Sequence, residues 1–260
     1  MKKILLAGML LCLVSSTALA ATGLNFYWTP DGKCPATPAS YIDMTYDCLS
    51  NDGGPWTMVG SFQLPAALPQ FYGIEVIIDG QSVGPVPAWW QSFNDGSCRA
   101  NAFFPTVSTD AQTSPCTKLW PVSPSGGFGA WQTADYPPPT GNVPLPNRLR
   151  IKLAYVMATT RVNLLATKVY NAFIVNMDAS NSVEDLSDPD NPIYACAGCL
   201  VPVTLVLNQI NALADPLMSV AMTDPIANRC ITWQGGASPS ECAATPARNT
   251  TWGNVKSLYR

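Results

Sequence analysis

Histidine is missing altogether from this 260-residue sequence. Its absence excludes Ser-His-Asp and Cys-His nucleophilic mechanisms, the usual catalytic zinc sites and the commonest general base. Charge is scarce as well: Asp, Glu, Lys and Arg make up 12% of the chain, against about 25% in ordinary soluble proteins. With a formal net charge of −3 and no basic run, the chain has no electrostatic footprint for nucleic acid. Glutamate occurs only as Glu75, Glu184 and Glu241. No spacing of acidic residues singles out the carboxylate pair of glycoside hydrolysis, and Glu75, in an alternating stretch, is expected to face solvent. After residue 20 no apolar run approaches the roughly 20 residues of a membrane-spanning helix; Leu200 to Ile210 comes nearest, broken by Pro202, Thr204, Asn208 and Gln209. No catalytic residues are expected, and no membrane span.

What is present begins with a leader. Lys2 and Lys3, the apolar run Ile4 to Val14 and the small residues of Ala18-Leu19-Ala20 have the layout of a secretory signal peptide over residues 1–20. A secreted, periplasmic or cell-surface location follows as the expectation, with residues 21–260 as a single domain. Loss of the two lysines moves the formal charge from −3 to −5. A low-charge surface of that kind repels its own copies weakly and suits a protein that adheres or assembles.

Eight cysteines remain beyond the leader: Cys34, Cys48, Cys98, Cys116, Cys196, Cys199, Cys230 and Cys242. An even number in an exported chain reads as a disulfide framework. Many connectivities are open, but the cysteines fall in four close groups, which favours Cys34–Cys48, Cys98–Cys116, Cys196–Cys199 and Cys230–Cys242. The Cys196-Ala197-Gly198-Cys199 segment precedes a strand pattern rather than a helix, so a structural disulfide in a turn is expected there in preference to a redox pair. Leu200 in place of histidine excludes c-type haem attachment.

Period-2 alternation marks strands at Leu24 to Trp28, Trp56 to Leu64 and Leu149 to Tyr155, Gly73 to Ile78 is a β-rich run, and Val169 to Val175, Val201 to Leu207, Leu217 to Met222 and Ile231 to Trp233 are further candidates. Asp79-Gly80 reads as a hairpin turn. Between about 100 and 148 the chain is rich in Pro, Gly, Ser and Thr and shows no period, so it is expected to be an irregular excursion over the sheets. Trp252, Val255 and Tyr259 share one face of a short C-terminal helix over about 251–260. Many short strands, frequent turns and disulfides predict an all-β fold, a disulfide-stapled β-sandwich.

Two binding features stand out. Trp89 and Trp90 are adjacent, and on a strand neighbours point to opposite faces, so one of them is expected to reach the surface, as a platform for glycans or a contact for another subunit; the competing reading is that it covers a sheet edge or packs under the 100–148 excursion. Asp178, Glu184, Asp185, Asp188 and Asp190 lie close together among Ser and Asn, a density of oxygens able to hold Ca²⁺, which takes about 6–8 ligands; ordinary turn chemistry is the competing reading. No other cofactor is implied.

The Leu24-Asn25-Phe26-Tyr27-Trp28 opening, the Tyr194-Ala195-Cys196-Ala197-Gly198-Cys199 turn and the endings Thr232-Trp233-Gln234-Gly235-Gly236 and Thr251-Trp252-Gly253-Asn254-Val255 resemble a group of secreted bacterial proteins of similar length. The resemblance carries no activity, cofactor or catalytic residue with it. The sequence reading is therefore a secreted, non-catalytic structural, adhesive or cell-surface protein that self-associates, with a glycan-binding, Ca²⁺-dependent module as the alternative.

Overall fold

A computed structural model describes residues 22–37, 42–91, 97–100, 102–108, 115–132 and 146–236. The expected leader over residues 1–20, Glu241, Cys242 and the expected C-terminal helix lie outside them. The described chain forms two sheets packed face to face, a β-sandwich closed by disulfides. No described helix is long and apolar enough to cross a membrane.

The first sheet is built from β1 (Gly23–Thr29), β3 (Trp56–Gln63), β10 (Val169–Met177) and β5 (Phe103–Thr106), in that order, with β6 (Thr117–Lys118) beside β10. The second runs β2 (Asp43–Met44), β13 (Cys230–Trp233), β11 (Val203–Ala214), β4 (Leu68–Ser82), β8 (Arg148–Val156) and β7 (Ser125–Gln132). Onto it β12 (Met218–Met222) pairs with β11, and β9 (Val162–Leu164) with β4. The alternation read from the sequence sets the layers: Leu24, Phe26 and Trp28 face Phe71, Ile74, Val76 and Ile78 in one shared core, all at most 1% exposed. Gly60 lies in register between Phe26 and Phe173 on its flanking strands, and its missing Cβ lets those two rings close to 6.2 Å.

Two expectations are corrected here. Asp79-Gly80 is not a turn, because β4 continues through both to Ser82. Arg150 donates two hydrogen bonds to the Asp79 carboxylate, at 2.6 and 2.7 Å, and the Asn208 amide a third at 2.7 Å. Gly80 leaves room for Leu149 and Leu205 from the flanking strands. A compensated charge and an absent side chain make this dipeptide as comfortable in a sheet as in a hairpin. The 100–148 segment, expected to be irregular, supplies β5, β6 and β7; β7 is Ser-Gly-Gly-Phe-Gly-Ala-Trp-Gln, whose glycines erase the period that marks a strand.

The cysteine pairing is corrected throughout the described residues. The bonds are Cys34–Cys116, Cys48–Cys199 and Cys98–Cys196, with Cα separations of 5.8–6.0 Å. None of the expected pairs Cys34–Cys48, Cys98–Cys116 or Cys196–Cys199 forms. All three bonds join cysteines 82 to 151 residues apart, so neighbours in sequence reach different, distant partners. Cys230 is also disulfide-bonded; the expected Cys230–Cys242 pair involves a residue outside those described.

Candidate binding end of the sandwich

The loops at one end of the sandwich converge on Trp233, the last residue of β13, which is fully buried. Trp89 stacks on it at 5.0 Å and 26°, while Trp56 meets it edge-on at 5.0 Å and 77°, and Trp90 does so at 5.9 Å and 80°. Trp28 and Tyr46 complete the ring of contacts at 6.2 and 6.3 Å. Three of the indole N–H groups find acceptors: Trp233 donates to the Cys199 carbonyl at 2.7 Å, Trp28 to the Thr232 carbonyl at 2.9 Å, and Trp89 to Ser182 Oγ at 3.0 Å, while Trp90 Nε1 has no partner among the described residues. Such clusters contribute about 0.5–1.5 kcal/mol per ring pair beyond the area they bury.

Trp89 and Trp90 therefore do not form the surface platform expected of them. They lie in a 3₁₀ turn, Ala88–Trp90, not a strand. Both rings point inward, 0% and 1% exposed, because a helical turn does not send neighbours to opposite faces. Proline at position 87 and the contact of Trp89 N–H with the Ala197 carbonyl hold the turn.

Arg99 was not singled out by sequence, and its side chain is fully buried in this end. Its guanidinium lies 3.8 Å over the Trp89 ring and donates to the carbonyls of Ser180 at 2.6 Å and Asp178 at 2.7 Å. Burial lowers its pKa to about 10, opposed by the Asp178 carboxylate 3.9 Å away. Arg99 thus fixes the 178–180 loop over the tryptophans. The only local signal for it was its place beside Cys98, which bonds Cys196.

The acidic stretch does not converge. Asp178 Oδ1 accepts from the N–H and hydroxyl of Ser180 at 3.0 and 2.5 Å. Asp185 and Asp188 each close a turn, accepting from the N–H of Ser187 and of Asp190 at 3.0 Å. The Ser187 contacts hold the Asp185 carboxyl below its ordinary range, and Asn191 with the Asp190 N–H does the same for Asp188. Glu184 and Asp190 are exposed beside them. Among the described residues no three His, Cys, Asp or Glu side chains are placed to hold a metal ion. Of the two readings of this stretch, the turn chemistry is what the described residues show: the carboxylates of Asp178, Asp185 and Asp188 accept from nearby backbone and side-chain donors.

Next to the cluster lies an open cleft of about 490 Å³, walled by Trp28 and Thr29 at the end of β1 with Pro30 after them, Asp43 and Met44 of β2, and Gly54, Pro55 and Trp56 at the start of β3. Trp56 is only partly buried there. Around it the loops carry apolar side chains outward. Leu49 and Leu200, each following a cysteine of the Cys48–Cys199 bond, are 77% and 63% exposed, and Tyr194 is 63% exposed. The 42–54 and 180–200 loops are tied together by Asn51, which exchanges hydrogen bonds with the Val183 backbone at 3.0 Å in both directions.

No protein-family model and no curated protein matches the chain. Among solved structures it is similar to the cohesin module from Clostridium perfringens ATCC13124 family 33 glycoside hydrolase, at 9% identity and a TM-score of 0.32, over 81% of this chain and 93% of that one. A likeness of that degree carries no argument about function.

Proposed function

We propose that this chain is an exported, non-catalytic surface protein that works by contact, associating with copies of itself through the stapled end. The observation that carries this reading is the pair Leu49 and Leu200, held outward beside the disulfide that joins their loops. Large apolar side chains on flexible loops fold back onto the protein to escape water; on loops cross-linked by Cys48–Cys199 and Cys98–Cys196 they stay displayed, and the ordering cost of an interface falls. The partner is a second copy. The loops that carry Leu49 and Leu200 hold no Lys or Arg, and their carboxylates Asp43, Asp47, Asp52, Glu184, Asp185, Asp188 and Asp190 are exposed. A two-fold interface therefore centres on the leucines with those charges at its rim, and strengthens with added salt. The disulfides Cys34–Cys116, Cys48–Cys199 and Cys98–Cys196 agree with an oxidising compartment.

Sedimentation equilibrium of the oxidised protein lacking residues 1–20 tests this. The weight-average mass is expected to rise with concentration, and the Leu49→Asp, Leu200→Asp double variant to stay monomeric with an unchanged circular dichroism spectrum. A strictly monomeric native protein at millimolar concentration overturns the proposal.

A further inference from the structure

Neither displayed leucine lines the cleft beside Trp56, whose chemistry is uneven. It offers one carboxylate, Asp43, and no cationic side chain among its lining residues. Asp43 Oδ1 is already oriented, accepting from the Thr232 hydroxyl at 2.6 Å and from the Gly235 N–H at 3.1 Å. Oδ2 has no hydrogen-bond partner among the described residues, and the side chain is exposed. The site thus holds a fixed, solvent-facing acceptor next to a partly bare indole, with Pro30 and Pro55 as exposed aliphatic walls.

We infer that this cleft binds a neutral saccharide, with a sugar ring's C–H face against Trp56 and a hydroxyl donating to Asp43 Oδ2. A carboxylate can only accept, so the ligand must bring donors. The absence of a cation in the lining disfavours phosphate, sulfate and uronic acid groups, which Asp43 repels. A hydroxyl-to-carboxylate bond is short and about twice as strong as a neutral one, and the two donors on Oδ1 prepay the orientation of the acceptor. The flat ring supplies the apolar contact that a sugar's C–H face requires. At about 490 Å³, the cleft lies within the roughly 300–1,000 Å³ of small-ligand sites. A proline-rich peptide would also seek aromatic walls, but it needs donors for its carbonyls, and the indole N–H of Trp28 is already given to the Thr232 carbonyl.

The test is isothermal titration of the oxidised protein with neutral hexasaccharides (cellohexaose, xylohexaose, mannohexaose and chitohexaose), with a polyproline decapeptide as competitor class. Binding of at least one saccharide is expected. Trp56→Ala should abolish it. Asp43→Asn keeps an oxygen for Thr232 and Gly235 but loses the charge, and should weaken binding about tenfold with no change in unfolding midpoint. No heat with any of the four saccharides, binding unaffected by Asp43→Asn, or binding of the polyproline peptide alone each overturns the inference. Self-association is read in the absence of sugar. A blank titration therefore leaves the assembly reading standing, and a monomer that binds sugar leaves the cleft standing.

Discussion

At the scale of single residues, space and burial decide more than identity does. A Cβ placed on Gly60 would fall 2.1 Å from the Phe173 ring, and no rotation of a ring wedged against Phe26 relieves that. Gly60→Ala is expected to cost about 3 kcal/mol by overpacking, read as a lower urea midpoint. Arg99→Leu removes the donors of the Ser180 and Asp178 carbonyls and the charge over Trp89. It should cost about 3 kcal/mol, and near-ultraviolet circular dichroism of the tryptophans should change with it. Tyr27 is buried beneath the outer face of the first sheet and donates to Ser61 Oγ at 2.8 Å. Burial raises its phenol well above the ordinary value of 10 despite that bond, and burial pushes Tyr155 up to about 12. Both native pKa values are raised, so their stabilisation is complete below pH 10 and is lost as pH climbs from 10 towards the native values. The urea midpoint is expected to fall above pH 10, and less steeply in Tyr27→Phe; a midpoint flat to pH 12 contradicts this.

At the scale of elements, strands were legible wherever one face is wet or the residues are β-branched. Leu149, Ile151 and Leu153 alternate with Arg150 and Lys152, and β8 follows that alternation. The expected strand at Val201 to Leu207 begins two residues later, at Val203, just after Pro202, which has no N–H to give a ladder. Elements escaped where the cue was a dipeptide or a composition: Asp79-Gly80 lies inside β4, and glycine-rich β7 shows no period. Cross-links belong to this scale too. Cys48–Cys199 spans 151 residues, but with Cys34–Cys116 and Cys98–Cys196 intact the shortest loop it closes is roughly 35 residues. Replacing Cys48 and Cys199 together by alanine should cost about 4 kcal/mol in the chain-entropy account. Cys34–Cys116 should remain oxidised, as thiol titration would show.

At the scale of the whole molecule, both sheets bury their inner faces in one core, so neither has an interior of its own. Thermal unfolding of the oxidised protein is expected to be a single transition, with near- and far-ultraviolet signals coinciding; two separated transitions would divide the chain into independent halves. The fold class, most strands and the oxidised state of the cysteines were determined by the sequence alone, because alternation and composition are local properties that burial on one face imposes directly. Which cysteines meet, that Trp89 and Trp90 turn inward, that the acidic stretch spends its oxygens on turns, and that Asp43 comes to face Trp56 were decided only by tertiary structure. These depend on how distant segments pack, on the pairing of β2 with β13 and on the 3₁₀ turn beneath Arg99, and no local pattern encodes a meeting between residues that far apart along the chain.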